Sequence, residues 1–160
     1  MLLRRQSIVL SLATRIQGVS ALDRGEGGTR PRNSGRMKHK ILVVDDEQAV
    51  ADTLCIIFKK RGFDCRTAYT GFAAVACTEE FCPELLLCDI SMPGMSGMEV
   101  VSKVTMKCPD CRVLLLTGHY TNLGSAQAWA MSHPAPSRIM TKPVPPAQLL
   151  EAAGALLRSR

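Results

Sequence analysis

Four groups of polar residues stand where short apolar runs stop. Asp45, Asp46 and Glu47 follow Ile41–Val44, Asp89 follows Leu85–Cys88, Thr117 follows Val113–Leu116, and Lys142 follows Arg138–Thr141. Carboxylates brought into one crevice repel one another. At about 4 Å and an effective dielectric of about 20, each like-charge pair costs roughly 4 kcal/mol. A hard divalent cation relieves that repulsion, and a few carboxylates with open water positions suit Mg²⁺. The set holds too many carboxylates and too little His and Cys for zinc. Lys142 would add a positive charge opposite the acids, and Thr117 a hydroxyl donor. A cation, an ammonium and a hydroxyl around one carboxylate are what a phosphoryl group in transfer requires, because its catalysis is mainly positioning and electrostatic stabilisation. One carboxylate can then be the nucleophile, giving an acyl phosphate.

The elements that must position these groups alternate along the chain. Ile41–Val44, Leu85–Cys88 and Val113–Leu116 are unbroken by polar residues, as parallel strands covered on both faces should be. Cys65–Tyr69 is mixed in polarity and reads as an edge strand, and Arg138–Thr141 is the last and shortest. Between them, Val50, Leu54, Ile57 and Phe58 recur at helical spacing up to Arg61-Gly62. Further helices are expected over Phe72–Glu80, closed by Pro83, over Gly97–Lys107 with Met98, Val101 and Val104 or Thr105 inward, and over Leu123–Met131. Pro146 suits the start of a last helix through Leu149, Leu150, Ala153 and Leu157. Five β-α repeats predict an α/β fold, a doubly wound parallel sheet between two helical layers with right-handed crossovers. Such sheets put their site at the carboxyl ends of the strands, where the polar groups lie.

Any one of these residues is as ordinary as a helix cap or a turn, but the full set in one crevice is not. The segments Ile41–Glu47 (ILVVDDE), Asp89–Gly97 (DISMPGMSG), Leu116–Gly118 (LTG) and Thr141–Pro143 (TKP) resemble, in order and spacing, the signature segments of the response-regulator receiver family of two-component systems. The resemblance spans about residues 38–158. It implies a flavodoxin-like five-stranded sheet of order 2-1-3-4-5 with helices on both faces. It implies Asp89 as phosphoacceptor, Asp46 as a direct Mg²⁺ ligand and Asp45 as a helper through water. Asp89 would lend the metal an oxygen and Ser91 its backbone carbonyl. Thr117 and Lys142 would contact the phosphoryl oxygens, and the Lys142-Pro143 bond would be cis. The phosphoryl group would come from a sensor histidine kinase or a phosphotransfer protein. Output would pass by protein–protein contact to another protein, and the only chemistry catalysed would be the chain's own phosphorylation and dephosphorylation. Met92-Pro93 and Gly97 read as loop-shaping and helix-starting residues.

The chain departs from that pattern in two places. Ile139 stands three before Lys142, where the family usually has Tyr or Phe, and His133–Ser137 replaces a Gly/Ala-rich turn. A β-branched Ile, stiff at χ1, cannot make the excursion of the aromatic ring. Switching is therefore expected in residues 119–137 rather than at residue 139, with Trp129 either a reporter or a half-buried packing residue. The partner surface would be the fourth helix, fifth strand and fifth helix. The alternative is a degenerate receiver acting as a constitutive protein-binding module. A phosphoaspartate hydrolase would want an Asp two residues after the nucleophile, and Ser91 is there instead.

Charge divides the chain. Residues 1–36 hold seven Arg against Asp23 and Glu26, so only +1 of the net +6 belongs to residues 37–160. A near-neutral folded part with a basic tail does not make a DNA-binding domain. Residues 1–37 are expected to be a disordered basic extension or untranslated upstream sequence, and residues 38–160 the receiver domain. Arg4-Arg5 before Ile8–Leu12 faintly suggests a targeting segment, but Arg15 interrupts it. No run reaches the roughly 18 apolar residues of a membrane span. The chain stops just after the fifth predicted helix, so a stand-alone receiver is expected. Seven cysteines, several inside apolar segments, favour free thiols and a cytoplasmic location. Cys108-Pro-Asp-Cys111 has metal or redox spacing, and Cys82 and Cys77 should lie at the same end; the plainer reading is a Pro-Asp turn flanked by two cysteines.

Overall fold

The computed structural model describes residues 38–118, 123–132 and 136–159, apart from the side chains of residues 123 and 125. The apolar runs form five parallel strands in one sheet: β1 (Lys40–Val44), β2 (Asp64–Ala68), β3 (Leu85–Asp89), β4 (Arg112–Thr117) and β5 (Ser137–Thr141). Their order is β2-β1-β3-β4-β5, as the receiver resemblance implied. Successive residues on a strand face opposite sides of the sheet, so each uninterrupted apolar run feeds two cores at once. Leu42, Val44, Leu86, Cys88, Val113 and Leu115 enter one core, and Ile41, Val43, Leu85, Leu87, Leu114 and Leu116 enter the other. This is why β1, β3 and β4 show no polar alternation, whereas the edge strands do.

Helices α1 (Gln48–Lys60) and α5 (Pro146–Arg158) cover the second of these cores, and α2 (Gly71–Cys77), α3 (Gly97–Lys107) and α4 (Leu123–Ser132) the first. The range of α3 matches the expectation, but its buried residues are Gly97, Val100, Val101, Val104 and Thr105, with Met98 only half-buried. The α2 helix stops three residues short of the expected Glu80. Thr78, Glu79 and Glu80 donate to carbonyls three residues back (Val75, Ala76 and Cys77), so the chain tightens into a turn. Pro146 takes the first helical position of α5, as expected.

The amino ends of the strands are fastened by specific pairs. His39 Nδ1 lies 2.7 Å from Glu84 Oε2, and Arg112 donates to the carbonyl of Ser159 at 2.9 Å. The Arg66 guanidinium sits 4.5 Å from the centre of the buried Phe81 ring, with Lys40 Nζ at 5.6 Å. The expectation that all cysteines stay free is corrected here: Cys82 and Cys108 are joined by a disulfide, with Cα atoms 5.9 Å apart. Cys108 and Cys111 are linked instead by a backbone turn, Cys111 N–H to Cys108 carbonyl at 3.0 Å. Among the described residues no helix is long and apolar enough to cross a membrane.

Candidate functional site

The strand register brings the four polar groups to one edge of the sheet. Val44 pairs with Cys88, Asp89 with Leu116, and Thr117 with Thr141. Beyond the last paired residues the ladder persists for one more step. Asp45 N–H donates to Ala68, Ile90 N–H to Leu116 and Lys142 N–H to Thr117, at 3.3, 2.9 and 2.8 Å. The backbone that carries these side chains is thus still held by the sheet. Asp45 and Asp89 are buried, at 2 and 8 % exposure, and Thr117 is fully buried.

Lys142 closes the crevice. Its Nζ donates to Asp89 Oδ2 at 2.6 Å and to Asp45 Oδ2 at 3.0 Å. The peptide bond from Lys142 to Pro143 is cis, as the resemblance implied. The second oxygen of Asp89 accepts Ser91 N–H at 3.0 Å, and Asp45 Oδ1 accepts Glu47 N–H at 3.0 Å. Burial disfavours the Lys142 ammonium, but the charges of Asp45 and Asp89 and their hydrogen bonds outweigh it and raise its pKa above the ordinary value. Burial pushes the Asp45 carboxyl up, against the opposing pull of Lys142 and the bond from Glu47. One ammonium therefore serves two buried carboxylates, and a third lies beside them.

Asp45, Asp46 and Asp89 each place an oxygen within 4.8 Å of the others, the one such group of potential metal ligands among the described residues. Three hard oxygens with no imidazole or thiolate suit a hard divalent cation. Glu47, adjacent in sequence, stands apart: it occupies the N-cap position of α1. Among the described residues no cysteine group of three joins the candidates, and the Cys82–Cys108 bond removes two of the four sulfurs expected at that end of the sheet.

Gly97 has a larger part than helix-starting. A Cβ built there would run into the Asp89 carbonyl oxygen and approach Ile90 Cα to 2.7 Å, so only glycine lets α3 begin against the end of β3. The same turn is fixed by Gly97 N–H to the Ile90 carbonyl at 3.0 Å. One residue earlier, Ser96 and Glu99 form a reciprocal capping box. Its Ser-x-x-Glu spacing was legible in the sequence and is the signal that would have found it. The hydrogen bonds from Ser96 hold the exposed Glu99 carboxyl below its ordinary pKa. Ile139 is half-buried on β5, opposite Leu115, and packs with Trp129 on the core under α4. Residues 119–122 and 133–135, where switching was expected, lie outside the described residues.

The profile of the response regulator receiver domain matches residues 41–154. The chain belongs to the response regulator receiver family. It is a receiver domain of the two-component type, a class of phosphoacceptors rather than turnover enzymes. A receiver domain protein (CheY-like) from Methanospirillum hungatei JF-1 is 29 % identical, with TM-score 0.68, over 75 % of this chain and 94 % of that one. A two component transcriptional regulator AraC from Clostridium phytofermentans ISDg is 28 % identical, with TM-score 0.67, over 76 % of this chain and 94 % of the other. Chemotaxis protein CheY4 of Vibrio cholerae, at 24 % identity and TM-score 0.66 over 74 and 98 % of the two chains, shares the fold.

Proposed function

We propose that this receiver takes a phosphoryl group onto Asp89 with Mg²⁺, from a histidine kinase or phosphotransfer protein, and signals by protein–protein contact. The observation that carries the reading is the fork of Lys142 across Asp45 and Asp89, beside three carboxylates spaced for one cation. Asp89 would attack phosphorus with one carboxylate oxygen, forming the acyl phosphate while the bond to the donor's leaving group breaks. Lys142 would follow the charge onto the phosphoryl oxygens, and Thr117, at the next strand end, would supply its hydroxyl. Asp46, Asp45 and Asp89, with the Ser91 carbonyl, would hold the cation, which neutralises the developing charge when bound. Residues 38–160 would form the receiver, and residues 1–37 a dispensable extension. A chain beginning at Met37 is expected to accept the phosphoryl group as well as the full chain does. The cytoplasm, where such kinases present their phosphohistidine, is the proposed location.

Incubation with acetyl phosphate tests this. The wild type should gain one phosphoryl group, and chelator or Asp89→Asn should abolish the gain. Labelling that survives Asp89→Asn would assign the acceptor elsewhere. A second reading, a constitutive binding module, is favoured by Ile139 alone. It predicts normal labelling with no change in hydrogen exchange over residues 119–137.

A further inference from the structure

The disulfide closes a ring around the part of the chain that carries Asp89. Between Cys82 and Cys108, 26 residues apart, lie all of β3, the loop from Ile90 to Ser96 and all of α3. The two ends of this segment meet at the amino edge of the sheet. At the other edge its middle is held by the crowding of Gly97 against Asp89 and by the capping box. One covalent bond therefore joins the start of the strand that ends in Asp89 to the end of the helix packed against it.

One of its two residues can be reached from solvent. Cys82 is exposed, whereas Cys108 is buried at 3 %. Cys55, Cys65, Cys77, Cys88 and Cys111 are free thiols. Cys55 and Cys65 are neighbours too, but both are buried at 4 % or less, and burial holds the Cys65 thiol far above its ordinary pKa. Cys111 is pushed up to about 12 by burial. Exchange needs an approachable sulfur, and Cys55, Cys65, Cys88 and Cys111 are buried and Cys77 half-buried where Cys82 is exposed.

We propose that Cys82–Cys108 is a thiol–disulfide exchange site, opened by a low-molecular-weight thiol, that sets how tightly the β3–α3 segment is closed. The thiolate attacks Cys82 Sγ, forming a mixed disulfide there. The bond to Cys108 breaks, and Cys108 leaves as a thiolate that takes a proton. A second thiolate attacks the outer sulfur of the mixed disulfide and releases Cys82, which is protonated in turn. Two electrons pass from two thiols to the bridge, and the thiols leave as their own disulfide. The reverse reaction uses that small disulfide as oxidant. The closure acts on amides of the segment whether or not Asp89 is phosphorylated.

The full chain is equilibrated in buffers of reduced and oxidised glutathione, quenched in acid, unfolded and alkylated, and its peptides weighed. Alkylation of Cys82 and Cys108 should rise from nil to complete across the series, with the five other cysteines alkylated throughout. Both thiols free at the oxidising end, a bridge that persists at the reducing end, or a different pair bonded would each overturn the site. Hydrogen exchange then reads the closure: opening should speed amides of residues 85–107 by about tenfold or more, since a released ring regains chain entropy. Cys82→Ser, and wild type reduced and capped at Cys82 with iodoacetamide, should both match the reduced protein in either buffer. Equal exchange in the oxidised and reduced wild type would overturn the closure.

Discussion

At the carboxyl end of the sheet, β1, β3 and β5 run out into Asp45, Asp89 and Lys142, two buried carboxylates bridged by a half-buried ammonium. At the amino end, residues around the starts of β1, β3 and β4 are fastened in pairs: Lys40 to the Phe81 ring, His39 to Glu84, Cys82 to Cys108, Arg112 to Ser159. The two ends share one apolar core and differ in what terminates it. Burying like charges is unfavourable until a cation or a phosphoryl group rearranges them, so the carboxyl end is built for chemistry at some expense of stability. The amino end carries contacts that restrain the chain and touch none of Asp45, Asp89 and Lys142. In the proposed phosphotransfer, the end that would take the phosphoryl group is not the end that fastens the fold.

The division has measurable consequences. Cys82→Ser should lower stability by up to about 3.5 kcal/mol for a ring of this size, while leaving acetyl phosphate labelling intact. Denaturant unfolding of oxidised protein measures this, and a loss of labelling would show that the two ends are not separable. Gly97→Ala lies between the ends and should do both kinds of damage. It should destabilise by about 1–3 kcal/mol through overpacking against rigid backbone, and slow labelling, because the group displaced is the Asp89 carbonyl. Ser96→Ala removes one side of the capping box and should cost about 1 kcal/mol with little change in labelling rate.

Asp45→Asn should act in the opposite direction. Burial raises the folded-state pKa of Asp45, so the folded protein holds this proton more tightly than the unfolded chain. The stability linked to that proton is fully present below the ordinary value of 3.8 and is lost as pH rises through the raised value. At neutral pH without divalent cation the charge is a burden, and the Asn variant should melt a few degrees higher than wild type. The difference should shrink as pH falls toward the ordinary carboxylate range. A variant that melts lower at neutral pH would mean that the bond from Lys142 outweighs the burial. In magnesium titrations, Asp46→Ala should lose more affinity than Asp45→Ala, since Asp45 is already engaged by Lys142 and Glu47 N–H.

Much of this was legible from residue types alone. Unbroken apolar runs such as Ile41–Val44, alternating with helical patterns, read as two-sided strands, and polar residues at their ends gather where parallel strands all point. The sheet order and the grouping of Asp45, Asp46, Asp89 and Lys142 follow from that pattern together with the receiver motifs. What the pattern could not decide depends on distances between segments far apart in sequence. That Cys108 meets Cys82 across the amino edge rather than its near neighbour Cys111 is set by where α3 ends over β3. That Gly97 is required by the Asp89 carbonyl, and not merely by a helix start, is set by how closely α3 approaches the strand. That α2 ends at Cys77 is set by three-residue hydrogen bonds as the chain turns toward the buried Phe81. Periodicity reports which side of an element is buried, because burial is a property of the side chain. It does not report which atoms of another element are met there, because that separation is fixed only when the layers close on one another.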